Sequence, residues 1–120
     1  MARILLADDD PASLDLIGRT LMADGHEVLR CADGTEAFQQ LSAAPDKFDL
    51  LLTDIEMPGM DGLQLAGRAA TLAPDLKILL MSGFSESSDQ AGNLGFSIAG
   101  FISKPLSLEQ VRNAVRSALA

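Results

Sequence analysis

The stretch Arg3-Ile4-Leu5-Leu6-Ala7-Asp8-Asp9-Asp10-Pro11 decides the fold. Its first five residues are an apolar run of strand length, and three carboxylates follow without a break. Asp10 then reads as a helix N-cap with Pro11 at the first helical position, where a missing N–H costs nothing. Leu14, Ile17 and Leu21 recur on one helical face until Gly25 stops the helix. The same alternation continues outward. Further apolar runs lie at residues 28–31, 50–53, 78–81 and 98–102, with helix-spaced segments between them. Strands alternating with helices at this spacing predict a parallel sheet with helices on both faces, because each crossover must be right-handed and must bury its apolar stripe on the sheet. No repeat, low-complexity stretch or linker interrupts the 120 residues, so residues 1–120 are expected to form a single domain with no output domain.

The second helix is expected from about Asp33 to Ala44, ended by Pro45, with Phe38 and Leu41 inward. Asp61 caps a third, where Leu65, Ala69 and Leu72 share a face before Pro74. The last starts with Ser107 and Gln110 in capping-box spacing and carries Leu108, Val111, Val115 and Leu119. Between Phe84 and Ile98 the chain offers Ser85, Glu86, Ser87, Ser88 and Asp89, then Gly92 and Gly95. That composition has poor helix propensity and predicts a short or mobile fourth helix.

Composition narrows the function. With 48% hydrophobic and 22% charged residues the balance is that of a globular protein, and the apolar runs are too short to cross a bilayer. Nine basic against seventeen acidic side chains give a net charge of −8, which repels phosphate backbones and acidic lipid, so neither nucleic acid nor membrane is an expected partner. No secretion signal opens the chain, which makes a cytoplasmic location the expectation. The lone Cys31 reads as a small buried strand residue, and the lone His26, after Gly25, as a solvated turn residue. Met22 and Met81 are expected in the core, whereas Met57 and Met60, in the loop after Asp54, are expected over the site or on a partner.

The remaining reactive groups fall at strand ends, where sheets of this kind place their sites. Asp8, Asp9 and Asp10 follow the first run, Asp54 the third, Ser82 the fourth, and Lys104 with Pro105 the fifth. Asp10 reads as a cap, and Asp61 with Gly62 as a cap and turn. Crowded carboxylates either take a raised pKa or hold a hard cation with oxygen ligands. Mg2+ suits a site of Asp9 and Asp54 with Asp8 reaching through water, which is one half of a phosphoryl-transfer centre. Lys104 as a point charge and Ser82 as a hydroxyl donor supply the other half.

These motifs, Asp8-Asp9, Leu52-Thr53-Asp54-Ile55-Glu56-Met57-Pro58-Gly59-Met60-Asp61-Gly62, Met81-Ser82-Gly83 and Ser103-Lys104-Pro105, resemble the receiver domain of two-component response regulators, the CheY-like family. The resemblance covers essentially the whole chain. It implies a flavodoxin-like, doubly wound five-stranded parallel sheet of order 2-1-3-4-5 with five helices. It also implies that Asp54 accepts a phosphoryl group from a histidine kinase or histidine phosphotransfer protein. The Mg2+ ligands would be Asp9, Asp54 and the backbone carbonyl of Glu56, with Asp8 acting through water. Ser82, Lys104 and Phe101 would be switch residues, and the Lys104–Pro105 bond would be cis. Phe101 stands where the family often has tyrosine and lacks the hydroxyl that would anchor either state. Such a protein is a phosphoacceptor in signalling rather than an enzyme. Its output would leave through a protein partner on the face built by the fourth helical segment, the last strand and the last helix.

Residues 65–70, 74–78 and 82–84 are further similar to single-domain CpdR-type regulators, adaptors for ClpXP proteolysis. Receivers of hybrid histidine kinases carry similar stretches. Two enzyme classes compare less well. Asp8-x-Asp10 after a strand opens haloacid-dehalogenase-type phosphatases, but those need a cap and leave Asp54 without a role. A PIN-type nuclease needs carboxylates at strand ends in its last third, where Glu86, Asp89 and Glu109 fall in helical segments instead.

Overall fold

The computed structural model describes residues 2–83 and 95–120, so the expected fourth helix and its predicted mobility lie outside the described residues. The elements are β1 (Arg3–Ala7), α1 (Pro11–Ala23), β2 (Glu27–Cys31), α2 (Gly34–Ala43), β3 (Leu50–Asp54), α3 (Gly62–Leu72), β4 (Lys77–Ser82), β5 (Gly100–Ser103) and α4 (Leu108–Leu119). Five parallel strands run in the order β2-β1-β3-β4-β5, as expected, and four helices are present among the described residues.

Strand alternation divides the core in two. Leu5, Ala7, Leu51, Ile78 and Leu80 face α2 and α3, where Ala37, Leu41, Leu65, Ala66 and Ala69 are buried. Ile4, Leu6, Leu50, Leu52, Leu79 and Met81 face α1 and α4, where Ile17, Leu21, Val111 and Val115 are buried. Every residue of β3 is buried, the mark of a central parallel strand covered on both faces. Each fully buried Leu or Ile contributes roughly 1.5–3 kcal/mol of apolar transfer, so the sheet is the rigid base on which the strand-end groups stand.

The helix starts follow their caps. Asp10 accepts from the Ala12 N–H and the Ser13 hydroxyl, and Asp33 accepts from the Glu36 N–H. Asp61 with Gln64 and Ser107 with Gln110 form complete capping boxes. Gly25 leaves α1 at a φ of 92°, which a side chain would resist.

Three expectations need correction. Met22 is 49% exposed, because it lies about 100° around α1 from Leu21, and its sulfur takes an Arg30 N–H instead. Leu72 is 37% exposed at the last position of α3, where Ala73 and Leu76 just after it fill the core instead. Phe38 does pack inward against the α2–α3 side of the core, half-buried, with the Arg68 guanidinium 5.5 Å above its ring. His26 is not simply solvated, since its Nδ1 accepts the Ala2 N–H at 3.1 Å and ties the turn to the start of β1. Cys31 is buried as expected, and burial pushes its thiol up to about 12, which leaves it inert. Among the described residues no helix is long and apolar enough to cross a membrane.

Candidate functional site

The order β2-β1-β3 reverses direction at β1, and the crevice beyond the carboxyl ends of β1 and β3 is where such a fold places its site. Parallel register sets Ala7 beside Thr53 and Asp54 beside Met81. Asp8 and Asp54 therefore emerge side by side, with Ser82 one residue further along β4 and Lys104 just past β5.

Asp8, Asp9 and Asp54 each bring a carboxylate oxygen within 4.8 Å of the others. Asp8 and Asp54 are almost wholly buried, while Asp9 is exposed. The Asp10 N–H binds Asp8 Oδ1 at 3.0 Å, and Lys104 Nζ donates to Asp54 Oδ2 at 2.7 Å while standing 4.0 Å from Asp8 Oδ2. Among the described residues, Asp8 Oδ2 and Asp54 Oδ1 have no hydrogen-bond partner. Burial raises the pKa of both carboxyls, and Lys104 only partly opposes it. Burial alone would lower the Lys104 ammonium, but Asp54 and then Asp8 and Glu56 hold it above its ordinary value. Two buried, unpartnered carboxylate oxygens beside a third, exposed carboxylate form the donor set a hard divalent cation requires.

Ser82 is buried, and its hydroxyl lies 2.7 Å from both oxygens of the Glu56 carboxylate. The Gly83 N–H donates to the same carboxylate at 3.2 Å. Reading the sequence assigned Glu56 only its backbone carbonyl and missed this side-chain contact. Phe101 pairs with Leu80 across β4 and β5 and is half-buried against the α2–α3 side of the core. The Lys104–Pro105 bond is cis. Met57 is buried in the core and Met60 packs partly against it, so neither covers the site.

Gly62 is more than the turn residue expected of it. Its N–H binds the Ile55 carbonyl at 2.8 Å, and a Cβ there would come within 2.1 Å of the Asp54 carbonyl oxygen. Gly34 is similarly pressed on the Met60 carbonyl. These close approaches fold the 55–61 loop back beneath the site.

Comparison with known proteins agrees with this geometry. The family model for the response regulator receiver domain matches residues 4–116. The response regulator receiver protein CpdR of Brucella abortus (strain 2308) is 38% identical over 119 residues, covering 99% of this chain and 98% of that protein. Other curated relatives are longer, and the chain spans only 26% to 50% of their length. A CheY-like receiver domain protein from Methanospirillum hungatei superposes with a TM-score of 0.87 at 30% identity, covering 99% of this chain and 94% of that one. The response regulator TrrA of Thermotoga maritima, in complex with Mg2+ and beryllium fluoride, superposes with a TM-score of 0.87 at 28% identity, covering 99% and 100%. The chain belongs to the response regulator receiver domain family, whose signalling runs through phosphorylation and whose members generally bind Mg2+.

Proposed function

We propose that this chain is a cytoplasmic, CpdR-like single-domain response regulator that takes a phosphoryl group on Asp54 and signals through altered protein binding. The observation that carries this reading is the buried Asp54 carboxylate. One oxygen is held by Lys104 and the other has no hydrogen-bond partner among the described residues, beside two further carboxylates at the sheet's switch point.

In the transfer, an Asp54 carboxylate oxygen forms a bond to the phosphorus of a phosphohistidine on a kinase or phosphotransfer protein. The P–N bond breaks, and the imidazole leaves and takes a proton from solvent. Asp9, Asp54 and the Glu56 backbone carbonyl would hold Mg2+, with Asp8 reaching it through water, and the cation would neutralise charge on the transferring group. Lys104, already bonded to Asp54, would bind one phosphoryl oxygen, and Ser82, at the end of the neighbouring strand, would donate to another. Filling these contacts draws Ser82 and the end of β4 toward Asp54. The half-buried Phe101 on the neighbouring strand repacks in response, and the face of β5 and α4 changes with it. The CpdR-type resemblance points to ClpXP as the partner on that face. Phosphoryl transfer and loss on its own Asp54 is then the chain's only chemistry.

Incubation with acetyl phosphate and Mg2+ tests the reading. Wild type should gain one phosphoryl group and Asp54→Asn none; equal labelling of the variant would overturn it.

A further inference from the structure

The Ser82 hydroxyl that a phosphoryl group on Asp54 would need is already engaged by an anion of the protein's own. Glu56 follows Asp54 by two residues, and its carboxylate receives the Ser82 hydroxyl at 2.7 Å and the Gly83 N–H at 3.2 Å. A hydroxyl has one proton and a backbone amide one hydrogen, so neither can serve a second anion while fully bonded to the first. The contact joins the loop after β3 to the end of β4, and β3 and β4 are neighbours held in register by Asp54 against Met81 and by the Ile55 N–H on the Met81 carbonyl at 2.8 Å. The carboxylate therefore lies beside the phosphoacceptor, near enough that its charge adds to the upward pull on the Asp54 carboxyl.

We propose that Glu56 is a positioning residue that acts as a resident anion. Its side chain holds Ser82 and Gly83 in the unphosphorylated arrangement and must swing away before the Ser82 hydroxyl can turn to a phosphoryl oxygen. The inference rests on Asp54 being the phosphoacceptor. Charge-assisted hydrogen bonds to a carboxylate are among the stronger ones in a protein, so surrendering them opposes phosphoryl binding, as does the repulsion between the carboxylate and the incoming dianion. The Glu56 side chain thus biases the two-state equilibrium toward the resting form without touching the reacting atoms, and the phosphoryl group must supply enough differential affinity to reverse that bias.

The substitutions Glu56→Gln and Glu56→Ala remove the charge and leave the backbone carbonyl in place. Two readouts are needed. In the cation-free protein, the Gly83 amide proton should resonate downfield in wild type, as expected for an N–H bonded to a carboxylate, and move upfield in both variants. With Mg2+ present, both variants should bind beryllium fluoride more tightly than wild type, by on the order of tenfold. Glu56→Asp keeps the charge on a shorter arm and should bind more tightly than wild type but less tightly than Glu56→Ala. Equal or weaker beryllium fluoride binding by Glu56→Gln and Glu56→Ala, with wild-type binding intact and abolished by Asp54→Asn, would overturn the role of Glu56 and leave the phosphoacceptor reading standing. Wild type that takes up no beryllium fluoride would instead overturn the phosphoacceptor reading, and this inference with it. An unmoved Gly83 resonance would overturn the contact independently of either.

Discussion

Replacing Asp8 by asparagine should make the cation-free protein more stable, although it damages the site. Asp8 is wholly buried, its Oδ2 has no hydrogen-bond partner among the described residues, and burial raises its pKa. Lys104 attracts it across 4.0 Å, about 4 kcal/mol at an effective dielectric of 20. An Asp54 oxygen within 4.8 Å repels it by at least about 3.5 kcal/mol on the same scale, so the two nearly cancel. What remains is the desolvation of an unsatisfied charged oxygen, about 1–3 kcal/mol. Asparagine keeps the Oδ1 acceptor for the Asp10 N–H and places an amide donor among carboxylates. The net expectation is a gain of about 1–2 kcal/mol, or a rise in Tm of about 4–8 °C for a domain of this size. A carboxyl whose folded pKa is raised above its ordinary 3.8 contributes stability in acid that is lost as pH rises through the folded value. The advantage of Asp8→Asn should therefore be present at neutral pH and vanish toward pH 4. Thermal melts in chelator at several pH values measure it. A variant less stable than wild type at pH 7 would refute the reasoning, because Asp8 would then be satisfied by Lys104.

Other perturbations follow from the same geometry. Mg2+ titration should show Asp9→Asn weakened more than Asp8→Asn, since Asp9 is expected to bind directly and Asp8 through water; the reverse order would contradict that assignment. Gly62→Ala forces a methyl against the Asp54 carbonyl, so it should lower both Tm and the extent of phosphorylation, whereas an unchanged Tm would show that the 55–61 loop yields freely. Arg112, which a helical reading of α4 leaves on a free outer face, instead clasps Asp24 at the end of α1 through hydrogen bonds of 3.0 and 2.8 Å. That bond lowers the Asp24 pKa, so its stabilisation is present above the ordinary 3.8 and lost as pH falls through the lowered value. Arg112→Ala should melt below wild type at pH 7 and converge with it in strong acid, and an equal gap at all pH values would exclude the ion pair as the cause.

The legible features were those with a local cause. Strand ends, caps and the two capping boxes are written in adjacent residues, and Asp8, Asp9, Asp54, Ser82 and Lys104 could be placed because each lies within two residues of the end of an apolar run. Contacts between distant segments were not legible. Glu56 meets Ser82 across 26 residues and Arg112 meets Asp24 across 88, and no local pattern marks either pair. Gly62 looked like turn chemistry because its constraint, the nearness of the Asp54 carbonyl, exists only once the loop has folded back. Leu72 and Met22 obeyed or bordered the helical period but fell where the helix leaves the sheet or turns from it, which periodicity alone does not register.

The central claim is that Asp54, and neither of its neighbouring carboxylates, forms the acyl phosphate. Borohydride reduces such an acyl phosphate to the alcohol and converts that aspartate to homoserine. After treatment with acetyl phosphate and Mg2+, reduction and peptide mapping should find homoserine at position 54 alone. Homoserine at Asp8 or Asp9, or at no position despite incorporated phosphate, would contradict the account.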